Sequence, residues 1–170
     1  MAERIPEMVG ATAAKEGINL GSEPQSIQFA LHAPSGPGVT ELAPAAPREV
    51  HLNLENVTAS RRHIESYKVY VNLPDGANPD DHPELMAGIL PRFGIVEASR
   101  STKEHAGDGV NYSFDITHIV SLLEARSSWD PQSVRVTFVA ERSDAERAAL
   151  PAAPPATLPV KVGRVSLYYA

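Results

Sequence analysis

A chain of 170 residues with 42% hydrophobic content can bury one ordinary core and seldom two, so a single folded domain is expected. Its 15 Lys and Arg against 21 Asp and Glu leave a net charge of -6, which removes the basic surface that nucleic acid or an anionic membrane would need in a partner. With no cysteine, the chain can hold neither a disulfide framework nor a thiolate metal cluster, and it has no Cys nucleophile.

From Met1 to Asn19 no hydrophobic period is sustained, and Pro6, Gly10 and Gly17 interrupt any helix its alanines favour. Residues 1–25 therefore read as a linker or lead-in. Met1-Ala-Glu-Arg4 has no apolar secretory run, and no stretch reaches the ~20 apolar residues a bilayer needs, so no signal peptide is expected and localisation stays open, with the cytoplasm slightly favoured. The β-domain is expected over 26–170. In Ser26–His32 the residues Ile27, Phe29 and Leu31 alternate with polar neighbours, the period of a half-buried strand. Residues 33–47 carry Pro34, Pro37, Pro44 and Pro47, which cannot supply a continuous ladder of donors, and read as an exposed loop.

Val50, Leu52 and Leu54 line one face of the next strand, and Tyr67, Val69, Val71 and Leu73 line one face of the strand after it. The turn-rich run from Pro74 to Pro83 follows, then the irregular apolar segment Glu84–Val96, whose strand portion is expected at Phe93–Ala98. Val110, Tyr112, Phe114 and Ile116 form another inward row. At Asp115 the period changes: Ile116, Ile119, Val120 and Leu123 recur at helical spacing, and the Asp115 carboxylate can accept from free first-turn amides, so a short helix ends near Arg126. Val134, Val136, Phe138 and Ala140 make the next strand. Ser143-Asp-Ala-Glu146 has capping-box spacing for a small helix over 144–150, inside a Pro-rich loop at 141–159. In the last strand Val160 and Val162 differ in parity from Val165, Leu167 and Tyr169, and a bulge at Gly163-Arg164 would bring both sets to one face. About seven strands and one short helix imply a mainly β fold, an antiparallel β-sandwich or flattened barrel.

The chemistry-bearing residues do not assemble into a familiar catalytic pattern. His32, His51, His63, His82, His105 and His118 are dispersed, with no pair at the i, i+4 spacing that lets two imidazoles on one helical face share a metal. Asp80-Asp81-His82 lies in a Pro-flanked turn where acidic residues cap backbone amides. No Gly-x-Ser-x-Gly elbow, Gly-x-Gly-x-x-Gly cradle or Walker pattern occurs.

The ordered set Lys68-Val-Tyr-Val-Asn72, Asp115-Ile-Thr-His-Ile-Val120, Ser133-Val-Arg-Val-Thr137 and Val162-Gly-Arg-Val-Ser166 resembles the C-terminal domain of bacterial tyrosinases and polyphenol oxidases, and Arg4–Ala11 resembles the linker that precedes it. The resemblance implies a non-catalytic lid over the dicopper pocket of a catalytic domain, in the same or a separate chain. Such a lid keeps the enzyme latent and can act as an intramolecular chaperone in folding or copper loading. The dicopper centre would belong to that partner, with no cofactor in this chain. A Cys-x-x-Cys copper-delivery variant is not carried over, since cysteine is absent. An apolar plug is expected in Ile89-Leu-Pro-Arg-Phe93, at Ile89, Leu90 or Phe93, while the usual interior placement of apolar side chains would have the same residues fill the core. The alternative function is a stand-alone recognition module for carbohydrate or protein, with Tyr70 and Tyr168 as exposed aromatic candidates.

Overall fold

The structure, a computed structural model, describes residues 6–13, 17–32, 49–60, 65–104, 106–141 and 160–170. Ten strands are present among them: β1 (Glu7–Ala11), β2 (Ile18–Leu20), β3 (Gln25–Phe29), β4 (Val50–Ala59), β5 (Ser66–Val71), β6 (Met86–Leu90), β7 (Val110–Asp115), β8 (Val134–Glu141), β9 (Val160–Val162) and β10 (Arg164–Tyr169). A one-turn helix α1 (Ile95–Ala98) and a longer helix α2 (Thr117–Ala125) complete the set, with short 3-10 turns at Pro79–Asp81 and Pro83–Leu85. The fold is mainly β and sandwich-like rather than a closed barrel.

Two antiparallel sheets face each other across one core. The first runs β1-β10-β4-β9-β2, with β7 on the other edge of β4, and the second runs β3-β8-β5-β6. Period-2 alternation explains the layering: Leu52, Leu54, Val165 and Leu167 from one sheet and Val69, Val71, Val136 and Phe138 from the other are all buried. Burying one such aliphatic or aromatic side chain contributes about 1.5 to 3 kcal/mol, so these rows supply much of the driving force for closure. On α2 the buried residues Ile119, Val120 and Leu123 form one stripe. Its start is fixed by Asp115, whose Oδ1 accepts from the Thr117 amide at 2.9 Å, while the Thr117 hydroxyl accepts from the Val50 amide and ties the helix to β4.

The parity change that the sequence places at Gly163-Arg164 falls at the break between β9 and β10. Across that break β4 carries the matching irregularity. Register with β7 slips between Leu54 and Val57, Asn56 takes φ +53, and its amide donates to Asn111 Oδ1 at 2.8 Å. Asn tolerates this left-handed conformation better than most residues. The Gly163 amide is shared between the carbonyls of Glu55 and Asn56, so Leu54 and Val57 both point inward, as do Val162 and Val165.

Three expectations are corrected. Glu7–Ala11 and Ile18–Leu20, expected as lead-in, are strands that pair with β10 and β9. Gly10 is the reason the pattern misleads: a Cβ there would lie 2.6 Å from Leu31 Cδ2 and 2.9 Å from the Ala30 carbonyl, so this glycine serves close approach between strands. The expected strand at Phe93–Ala98 is instead a corner and the turn α1, and the strand of that segment is Met86–Leu90. Pro91 has no amide to continue the ladder. Finally, the count rises from about seven strands to ten, because β1 and β2 add to it and the last strand divides into two. The loop expected at 33–47 and the small helix at 144–150 lie outside the described residues.

Candidate functional site

Among the described residues strand β6 is the edge of the smaller sheet, paired with β5 alone. Alternation along it separates two of the three plug candidates. Leu90 lies opposite Tyr67 and is fully buried, so it is a core residue and not a plug. Ile89 lies opposite Lys68 and is 43% exposed. After Pro91 the chain turns through Arg92, Phe93 and Gly94, where Gly94 takes φ +85, a conformation that side chains with a Cβ rarely adopt. Phe93 stands on this corner and is 73% exposed, far above any other large hydrophobic among the described residues.

The corner is firmly seated behind the exposed ring. Ile95 and Val96 are buried in the core, and the Ser99 hydroxyl donates to the Ile95 carbonyl at 2.6 Å while accepting from the Ala59 amide at 2.8 Å, which pins α1 to β4. The Arg92 guanidinium sits over the Phe93 ring, 4.8 Å from its centroid. That cation–π contact contributes about 0.5 to 1 kcal/mol at an exposed site and orients the ring. Beside it lies an open hollow of about 570 Å³ lined by Arg92, Phe93, Gly94, Val96, Glu97 and Arg100. The arginines are the feature that the sequence reading missed; an Arg immediately before an aromatic in an apolar run was the available signal.

Tyr70 is corrected from an exposed aromatic to a buried one, 2% exposed. It does point to the outer face of the smaller sheet, opposite Thr137, yet the segment after β5 folds back over that face. The Lys68 ammonium meets Asp80 of this segment at 3.6 Å, Arg135 pairs with Asp75, and a cavity of about 230 Å³ between Leu73, Pro74, Pro79 and Thr137 remains beneath. Burial pushes the Tyr70 phenol above its usual range, with the Asp80 and Glu141 carboxylates adding to it. Tyr168 is half-buried on β10, opposite His51 and Met8 in the other sheet. The two tyrosines therefore lie on different sheets and form no common patch.

Among the described residues no three His, Cys, Asp or Glu side chains gather to hold a metal. Glu84 pairs with Arg126 at 3.3 Å and meets His82 at 3.4 Å, and His51 meets Glu49 at 3.4 Å, so these groups are engaged in local contacts on the surface. His63 and His105 lie outside the described residues. No helix among the described residues is long and apolar enough to cross a membrane.

Fold and corner together define a β-sandwich domain that presents an exposed aromatic side chain at one sheet edge. The chain belongs to the family described as a domain of unknown function, DUF7868, whose profile matches residues 5–170. It is 24% identical over 165 residues to tyrosinase HcTyr1 of Hahella sp. (strain CCB-MM4), covering 95% of this chain and 32% of the tyrosinase. Among solved structures, latent aurone synthase (polyphenol oxidase) from its natural source matches with a TM-score of 0.52 at 15% identity, over 92% of this chain and 26% of that one. The recombinantly expressed form of the same enzyme gives 0.52 at 14% identity. The chain thus spans about a third of the tyrosinase and about a quarter of the aurone synthase, and the matches fit a tyrosinase C-terminal domain.

Proposed function

We propose that this chain is the non-catalytic lid of a tyrosinase-like copper oxidase, and that Phe93 is the side chain it inserts into the substrate-sized mouth of the catalytic domain. The observation that carries this reading is the 73% exposure of a phenyl ring on a corner whose following turn is held by the Ser99 hydrogen bonds. Single exposed apolar side chains are common, but two of the three exposed large hydrophobics among the described residues, Ile89 and Phe93, fall within five residues at one sheet edge, the kind of grouping that marks an interaction surface. Supporting the reading, the matched tyrosinase is about three times longer than this chain, which leaves room in a relative for a separate catalytic region.

In this reading the dicopper centre belongs to the catalytic domain, where copper supplies the oxidation of phenols. The part played by this chain is exclusion. The Phe93 ring occupies the volume a phenol would take, Ile89 and the hollow beside α1 widen the covered area, and substrate enters only when the domain swings away. Latency is then a two-state equilibrium, and covering the same mouth before copper arrives would also protect an apolar pocket during folding or metal loading.

The magnitude follows from exposure. Transferring the exposed three quarters of a Phe side chain into an apolar pocket contributes about 1 to 2 kcal/mol, which shifts the closed-to-open ratio by about 5- to 30-fold. The test is phenol oxidation by the full-length oxidase carrying Phe93→Ala or Ile89→Ala. Phe93→Ala is expected to raise activity toward that of the catalytic domain alone, and Ile89→Ala to raise it less. Unchanged latency in both variants would remove this corner as the plug.

A further inference from the structure

We infer that Arg92 and Arg100 form a cationic collar around Phe93, and that the surface it docks against is a catalytic-domain mouth rimmed by carboxylates. This rests on the lid reading and adds the chemistry of the partner surface.

The first observation is how the arginines of the molecule are used. Arg126, Arg135 and Arg164 each meet a carboxylate, Glu84, Asp75 and Glu55 respectively. Arg92 and Arg100 are the described arginines with no carboxylate partner among the described residues, and both line the hollow at Phe93. In a chain of net charge -6 carboxylates are abundant, so the two unpaired guanidiniums share one place on the surface against the trend of the whole. Glu97 is the one acidic group lining the same hollow, which leaves its lining net positive.

The second observation is geometric. Arg92 lies 4.8 Å from the centroid of the Phe93 ring, so the ring brings that guanidinium to the margin of any pocket it enters, unless a contact of about 0.5 to 1 kcal/mol is given up. A cation moved out of water toward an apolar wall is costly unless an acceptor meets it, and removing one partner of a desolvated pair leaves the other uncompensated. A carboxylate suits the planar fork of Arg better than a single carbonyl does, because it accepts two parallel N–H bonds. The same attraction would orient the lid before contact, since opposite surface charges steer approach over about a Debye length.

The experiment uses the full-length oxidase and compares its activity with that of the catalytic domain alone at about 50 and about 500 mM NaCl, a range over which screening grows strongly. Wild type is expected to be more latent at low salt. Arg92→Gln with Arg100→Gln should lose about tenfold in latency per guanidinium at low salt and most of its salt response, given the strength of charge-assisted hydrogen bonds. The corresponding double Lys variant should keep the salt response while losing part of the latency. Phe93→Ala should lower latency at both salts and leave the salt response in place. A double Gln variant with wild-type latency and wild-type salt response overturns the collar while leaving the plug intact. A Phe93→Ala variant as latent as wild type overturns the plug, and wild type showing no latency at either salt overturns both.

Discussion

Ile89, Leu90 and Phe93 are close in sequence and similar in chemistry, yet the structure assigns them three different environments, which an alanine series on this chain can resolve by stability alone. Leu90 is fully buried opposite Tyr67, so Leu90→Ala removes its transfer free energy and leaves a cavity in the sheet interface, costing about 2 to 5 kcal/mol. Ile89 is 43% exposed and leaves no enclosed void, so its truncation should cost about 1 kcal/mol or less. Phe93 is 73% exposed, and its loss removes chiefly the Arg92 contact, about 0.5 to 1 kcal/mol. Urea denaturation followed by circular dichroism reads all three, with the dependence on denaturant expected to be unchanged across the series. The contrast is large beside a total stability of about 5 to 15 kcal/mol. If Phe93→Ala cost more than about 2 kcal/mol, the ring would be part of the core and could not serve as the inserted group.

Gly94→Ala should cost about 1 to 2 kcal/mol through backbone strain alone, since beyond its chain neighbours no heavy atom lies within 4 Å of the added methyl group, and Gly76→Ala, at φ +70 in similarly open space, is its matched control in the same urea titration. Hydrogen bonds from Thr117 hold the Asp115 carboxyl below its usual range, so its contribution to stability is present above the unfolded carboxylate pKa near 4 and is lost as pH falls through the lower folded value; Asp115→Asn should flatten that part of the acid limb in pH-dependent melting. Burial raises the phenols of Tyr70 and Tyr112, so their contribution is intact below the unfolded tyrosine pKa near 10 and declines as pH rises toward the folded values. Alkaline difference spectroscopy should show late-titrating tyrosines, one of which disappears in Tyr70→Phe.

Much of the fold was legible because β4, β5, β7 and β8 carry clean alternation and α2 carries a clean helical stripe. Periodicity fails where elements are too short to show it. β2 has three residues, and β1 includes a glycine whose role depends on Leu31 in a neighbouring segment. In Glu84–Val96 the apolar residues divide among an edge strand, a proline stop and one helical turn, so no single period fits. Tyr70 shows a further limit. Alternation gave the correct side of the sheet, but only the return of the segment holding Asp75 and Asp80 determines that this side is covered. Likewise, sequence could nominate Ile89, Leu90 and Phe93 together, whereas the register of β6 against β5 separates the core residue from the exposed ones.

If Phe93 is the plug of the lid reading, its place on a sandwich edge follows from the cost of ordering. A side chain on a flexible tail would lose backbone freedom worth about 1 to 2 kcal/mol per residue on insertion, which would cancel what one phenyl ring gains by burial. Here that ordering is completed in folding: β6 holds one side of the corner, Gly94 sets the turn, and the Ser99 bonds to Ile95 and Ala59 hold the other side. Arg92 further restricts the ring before any partner arrives. On the lid reading, the gain from burial would therefore be available for closure, the general advantage of a preorganised binding group. The balance also limits how tight such a lid becomes. On the lid reading, a contribution of about 1 to 2 kcal/mol from the ring alone would keep closure reversible, and a change in salt or in the seating of Phe93 would be enough to move the equilibrium.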